Sequence, residues 1–377
     1  MIKKKYLFVL LSVCAISLTS CEQVKDYKEH LHDYVATMKF HTGFNILQLT
    51  DIHWNYNSST EASKRYLDKV FQETVKQHGN IDLVELTGDQ FMLSNTYHVT
   101  SFIKFFEQEA LKYDFKYTVI WGNHDRHGLY NPNWLAKQFK NAAHCIYIEP
   151  NDNLYGRSNF VINLLDPTDP NEEKVKWQIA NLDSGASFSE TSVSPFRDYD
   201  YIRKDQTEWF VAEHGLAEEA TGGAVPVIAY YHIPQDENLK AYEARATLKN
   251  KFFKLEEFAD NGNPEYASDF VDVAKEHGLK AAFMGHAHNV DWTVMYEGVM
   301  IGLGVKTGPE LYFAHCDVNS DDPMMVEGYS TVSIHENFDL IGASLVTLKD
   351  GDNFDLTHLY LNERDGGDFV HWEAWDW

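Results

Sequence analysis

The chain has 377 residues, 44% of them hydrophobic and 24% charged, which is ordinary globular composition with ample material for a core. Its formal net charge is −25, from 57 acidic against 32 basic residues. That balance repels polymeric nucleic acid and anionic membranes at long range, so a nucleic acid polymer is not an expected partner.

The first twenty residues read as a targeting segment. Lys3, Lys4 and Lys5 form a basic start, and Tyr6 to Leu18 is an apolar run. That run falls short of the roughly 20 residues a membrane span needs. Leu18-Thr19-Ser20-Cys21 follows the pattern of a bacterial lipobox, whose Cys becomes the lipidated first residue. A plain signal peptide with an incidental Cys is the other reading. The expected division is a lipoprotein signal over 1–20, a polar tether over 21–42 and one domain over 43–377. The expected location is the bacterial cell envelope, outside the cytoplasm, with Cys21 as the lipid anchor. In the body, Cys145 and Cys316 allow one disulfide or two buried thiols, and the sequence does not choose.

Strands and helices then alternate. Phe44 to Leu49 is a strand run that leads to Asp51. Glu61 to Gln77 carries Tyr66, Val70, Phe71 and Val75 at helical spacing, with Gly79 as a stop. Ile81 to Leu86 is strand-like and leads to Gly88-Asp89. Val99 to Lys112 puts Phe102, Ile103, Phe106 and Ala110 on one helical face, and Tyr117 to Trp121 is a strand leading to Gly122-Asn123. This βαβαβ order predicts a mostly parallel sheet covered by helices. Further on, strands are expected at 159–165 and 175–182 around a Pro-rich turn, a helix at 205–214, and a strand at 226–231 leading to His232. A helix at 267–277 precedes a strand at 280–284 that leads to Gly285-His286. Strands at 292–295, 299–305, 331–335 and 341–348 follow, and Phe369 to Trp377, with three tryptophans, reads as a tail packed on the body. No repeat or Gly/Pro/Ser linker divides the chain. One α/β domain is expected, with two sheets face to face and helices outside.

Metal-ligand residue types sit where these strands end: Asp51-Ile52-His53, Gly88-Asp89-Gln90, Gly122-Asn123-His124-Asp125, His232, and Gly285-His286-Ala287-His288. In an open α/β sheet those ends form the crevice where ligands bind. Alternate residues at a strand end point to one side, so Asp51 with His53, and His286 with His288, can each chelate. Asp89 has two oxygens and can bridge two cations. Asn123 offers a carbonyl oxygen, and Asp125 could hold His124 in a useful tautomer. Taken singly, most blocks have a bland reading: a turn Asp with an exposed His, a capping Asp, a structural His232. Five in this order are not so dismissed. Trp54 and Tyr56 read as stacking or packing residues, and Arg126 and His127 as substrate contacts or, slightly favoured, a solvated loop.

The pattern D-x-H, G-D, G-N-H-D, H and G-H-x-H resembles that of the calcineurin-like metallophosphoesterases, over Asp51 to His288. The resemblance implies an α/β, four-layer αββα sandwich of two mixed β-sheets flanked by helices. It implies two divalent metal ions (Mn, Fe, Zn or Co) with Asp51, His53 and His288 on one, Asn123, His232 and His286 on the other, and Asp89 bridging. It makes His124 the acid near the leaving group and Asp125 its orienter. A bridging hydroxide would attack a phosphoester, most readily a monoester, with the metals supplying the positive charge that the acidic surface lacks. A phosphodiesterase on nucleotides or lipid head groups is the alternative, and a catalytically silent binding scaffold the third reading. Gln90, Phe91 and Met92 follow Asp89 where purple acid phosphatases carry a tyrosine ligand, so no purple centre is expected. The stretches 182–185, 232–234 and 304–308 are similar to the Dcr2/PAP29-type branch of plant and fungal phosphatases. Only 89 residues follow His288, which disfavours a two-domain nucleotidase.

Overall fold

The computed structural model describes residues 31–54, 59–126, 132–148, 154–186, 199–244, 248, 250–254, 268–309, 315–316, 338–339, 341–361 and 370–375. The expected signal segment, Cys21 and the strand expected at 331–335 lie outside them. Two mixed sheets pack face to face with helices outside, as expected. In the smaller sheet β2 (Phe44–Leu49), β3 (Leu83–Thr87) and β4 (Lys116–Ile120) run parallel. β14 (Gly342–Leu348), β15 (Phe354–Leu361) and β16 (Val370–Trp375) extend it antiparallel from β2.

The larger sheet holds β1 (Val35–Lys39), β5 (Phe160–Leu165), β6 (Val175–Asn181), β7 (Val227–Tyr230), β8 (Asn250–Lys254), β9 (Leu279–Met284), β10 (Asp291–Tyr296) and β11 (Val299–Leu303). Its order is β1-β5-β6-β7-β9-β11-β10-β8, with β6, β7, β9 and β11 parallel. β12 (His315–Cys316) and β13 (Phe338–Asp339) form a separate pair.

Central strands β2 and β3 are buried at every position, their polar residues included. The helix Thr96–Tyr113 starts at Asn95, whose side chain accepts the His98 N–H at 2.9 Å, and ends at left-handed Asp114. Its Phe102, Phe106 and Ala110 are buried as the spacing predicts. The core between the sheets is not wholly apolar. Gln48, Glu85 and Thr118 stand in register across β2, β3 and β4, all buried. Burial pushes the Glu85 carboxyl well above its ordinary pKa.

Two expectations change. Residues 35–39, assigned to the tether, form edge strand β1 paired parallel with β5. The helix expected to end at His214 continues to Thr221 and stops at left-handed Gly222. The C-terminal tail does pack on the body, as strand β16. Cys145 is a free thiol, held protonated by burial, while the Cys316 side chain lies outside the described residues.

Candidate metal centre

All five blocks lie at the carboxyl ends of parallel strands. Asp51, Asp89 and Asn123 follow β2, β3 and β4 in one sheet; His232 and His286 follow β7 and β9 in the other. Backbone bonds lace these loops together. The amides of Asp51, His53 and Trp54 donate to the carbonyls of Gly88, Asp89 and Gln90 at 3.0, 2.9 and 2.7 Å. Across the sheets, the His286 amide donates to Asp51 Oδ2 at 2.9 Å.

Two groups of side chains converge. Asp51, His53, Asp89 and His288 bring ligand atoms within 4.8 Å of one another, and so do Asp89, His232 and His286. Asp89 belongs to both. Asn123 joins the second group, with Oδ1 3.1 Å from His232 Nε2 and 3.0 Å from His286 Nδ1. All seven residues named from the sequence as ligands therefore lie in one cluster, and all but half-buried His286 are buried. Four of the seven non-glycine residues with left-handed backbone among the described residues are Asp51, His53, Asp89 and His286. Such conformations persist where surrounding contacts impose them, and they gather at functional sites.

The donor set suits cations. His53 Nε2 faces His288 Nε2 at 3.1 Å, and His288 Nε2 lies 3.2 Å from Asp51 Oδ1. His232 Nδ1 is 2.9 Å from the Thr87 carbonyl. A carbonyl only accepts, so Nδ1 carries a proton and Nε2 turns toward Asp89 Oδ1 at 3.4 Å. Burial alone would raise the carboxyl pKa of Asp51 and Asp89, but the surrounding histidines outweigh it and hold both below the usual range. Burial disfavours a charged His232, yet the Asp89 and Asp51 carboxylates prevail and its pKa is raised to about 9. Burial and the neighbouring His232 push His286 down to about 3. Ionised carboxylates beside imidazoles, shielded from water, form a set that could hold divalent metal ions.

His124 is half-buried at the cluster, its ring edge-on to His53 at 5.1 Å and its amide donating to Asp89 Oδ1 at 2.7 Å. Asp125 accepts the amides of Phe91 and Gly122 on its two oxygens, each at 2.9 Å, so it pins the third block against the second. It is fully buried beside two backbone donors that need acceptors. Arg126 is not on a solvated loop: its side chain is 19% exposed and its guanidinium donates to Asp183. Trp54 is a packing residue, buried against Phe102 and Phe105 with Nε1 donating to Ser101. Tyr56 and His127 lie outside the described residues.

Lys306 has a part that sequence reasoning missed. It is buried, and Nζ donates to the Asp51 carbonyl at 3.0 Å and the Gly308 carbonyl at 2.6 Å. Burial, with the Lys306 cation opposing the nearby carboxylates, holds His53 well below its ordinary pKa, in the neutral form a ligand needs. Lys306→Met is expected to keep the fold by circular dichroism and to weaken metal binding about 10–100-fold, as loss of an outer partner does. Metal titration of both proteins checks this; equal affinities would remove Lys306 from the site.

No curated protein matches the chain in sequence. Solved structures with a similar course include a purple acid phosphatase from yellow lupin (Lupinus luteus) seeds, at 10% identity and TM-score 0.45, covering 89% of this chain and 54% of that one. A 5'-nucleotidase precursor from Thermus thermophilus matches at 11% identity and TM-score 0.37, over 88% of this chain and 54% of that one. The sulfate thiohydrolase SoxB of Thermus thermophilus, in complex with glycerol, matches at 10% identity and TM-score 0.39, over 85% and 57%. The chain thus spans a little over half the length of these structures. The sequence model of the calcineurin-like phosphoesterase family matches residues 44–290, well over half of the chain, and the chain belongs to that family.

Proposed function

We propose that the chain is a metal-dependent phosphomonoesterase acting on phosphorylated small molecules. Two divalent cations would be held by the two ligand groups, with Asp89 between them. The observation that carries this reading is the place of Asp89 in both groups. Cations bound there supply Lewis-acid charge for a phosphate oxygen and lower the pKa of a water. The mixed nitrogen and oxygen donors serve Mn, Fe, Zn or Co, and availability decides among them. The chain's own residues orient and protonate. Asp125 fixes the turn that presents His124, and His124, at the edge of the cluster, gives a proton to the leaving oxygen. The anchor at Cys21 and a location outside the cytoplasm complete the proposal, supported by the lipobox pattern. The likeness of 182–185, 232–234 and 304–308 to the Dcr2/PAP29-type branch belongs to the same proposal.

The test is hydrolysis of p-nitrophenyl phosphate against bis-p-nitrophenyl phosphate by residues 22–377, stripped of metal and reloaded with each of the four. Metal-dependent turnover of the monoester is the expected result; preference for the diester would replace it with the phosphodiesterase. His124→Ala should lower kcat about 10²–10⁴-fold with metal content unchanged. Near-normal turnover in that variant would remove His124 from the chemistry.

A further inference from the structure

Beside the metal cluster lies a cavity of about 500 Å³, whose lining includes Arg126, Asn133, Leu154, Tyr155, Arg157 and Asp205. Three connections bind its wall to the metal loops. The Arg126 amide donates to the Asn123 carbonyl at 3.4 Å, so Arg126 shares a turn with Asn123 and His124. Asp183 accepts from the Arg126 guanidinium and, at 2.6 Å, from the Arg157 amide. The next residue, Ser184, accepts at 2.8 Å from the amide of Ile233, which follows His232. On the far side, the Tyr199 ring stands edge-on to His286 at 4.4 Å, and its neighbour Asp200 accepts from the Tyr155 hydroxyl. The cavity wall and the metal loops therefore form one hydrogen-bonded frame.

We propose that this cavity is the leaving-group site of the enzyme, and that it takes a leaving group bearing a second anion, a carboxylate or a phosphate. The inference rests on the phosphomonoesterase reading and adds the substrate class. Two arginines line the cavity in a chain whose net charge is −25. Arg126 is held rigid by Asp183, and its Nε is shielded from solvent with no hydrogen-bond partner among the described residues. A buried donor left without an acceptor is costly, and a planar guanidinium fits carboxylate or phosphate oxygens with paired bonds. The one carboxylate in the lining, Asp205, already accepts the Tyr155 amide at 2.9 Å. Arg203 lies over the Tyr155 ring at 4.7 Å and stiffens that wall. The volume is that of a site for a single small organic ligand, not for a polymer.

Matched substrate pairs test the proposal on the Mn-loaded protein of residues 22–377. One pair is 3-phosphoglycerate with glycerol 3-phosphate; the other is fructose 1,6-bisphosphate with fructose 6-phosphate. Within each pair only the second anion differs. The expected result is about tenfold or greater preference in kcat/KM for the anionic member of one or both pairs, expressed in KM. Preference in the first pair identifies a carboxylate, in the second a phosphate. The preference should fall toward one in Arg157→Gln and in Arg126→Gln. Equal kcat/KM within both pairs, or a preference that survives both substitutions, overturns the proposal. p-Nitrophenyl phosphate has no second anion and reports on hydrolysis alone, so its turnover without discrimination defeats only the leaving-group site. If every ester is inert, the hydrolase reading fails. Calorimetric titration of 3-phosphoglycerate into chelator-treated protein then decides the cavity: saturable binding lost in Arg157→Gln supports the anion site, and no binding overturns it.

Discussion

Asp89→Ala is expected to leave the protein without its full metal complement and to lower turnover on the order of 10³-fold or more, as loss of the main source of charge organisation does. Each other ligand serves one group; Asp89 serves both. Its Oδ1 lies 3.4 Å from His232 Nε2 and its Oδ2 lies 4.0 Å from His53 Nε2, so one carboxylate reaches toward both halves of the cluster. Oδ1 also accepts the His124 amide at 2.7 Å. Removing the side chain takes a negative charge from a buried site and frees the turn that carries His124. Asp89→Asn keeps the shape and an acceptor but removes the charge, so it separates the two losses. Elemental analysis of both variants after metal loading, alongside wild type, is the measurement. Full metal content in Asp89→Ala would end the bridging assignment.

Gly88→Ala is expected to be nearly as damaging, although it changes no ligand. Gly88 has φ +100°, a conformation that L side chains rarely adopt. A Cβ there would fall within the van der Waals envelope of His232 Nδ1 and Cγ, and 2.8 Å from its Cβ. The ring cannot retreat, because Nδ1 is tied to the Thr87 carbonyl and Nε2 faces Asn123 and Asp89. The expected cost is about 1–3 kcal/mol of stability from overpacking, with loss of the metal that His232 would hold. The decisive comparison is a double-mutant cycle. If the clash with the ring is the cause, Gly88→Ala adds little to the destabilisation already caused by His232→Ala. Full additivity in thermal or denaturant unfolding would point to the backbone conformation instead.

The ligand cluster was legible because its signals are local. A ligand placed one to four residues beyond an apolar run declares its strand end, and β2, β3, β4, β7 and β9 each carry one. What stayed hidden depends on partners far away in sequence. Arg126 meets Asp183 across 57 residues, and Lys306 meets the Asp51 carbonyl across 255, so neither pairing leaves a pattern in its own neighbourhood. Asp125 likewise accepts the Phe91 amide across 34 residues, a partner that nothing in its own neighbourhood points to. Strand β1 escaped notice because it is an edge strand with mixed exposure, held by pairing with β5 more than by burial. The short helices Pro132–Lys140 and Asp236–Ala244 are only nine residues each, too brief for apolar spacing to stand out.

A polypeptide made from its N-terminus produces His286 and His288 last of the seven clustered residues, and β14, the antiparallel neighbour of β2, later still. Until β14 is in place, the strand leading to Asp51 has a bare edge, and until β9 is formed the second ligand group has no His286. Partial chains cannot capture metal at full strength, because a site assembled only by the completed fold couples binding to folding. Loading of a metal would therefore belong to the chain whose last strands have closed, and the ion acquired would be set by whichever pool surrounds it then.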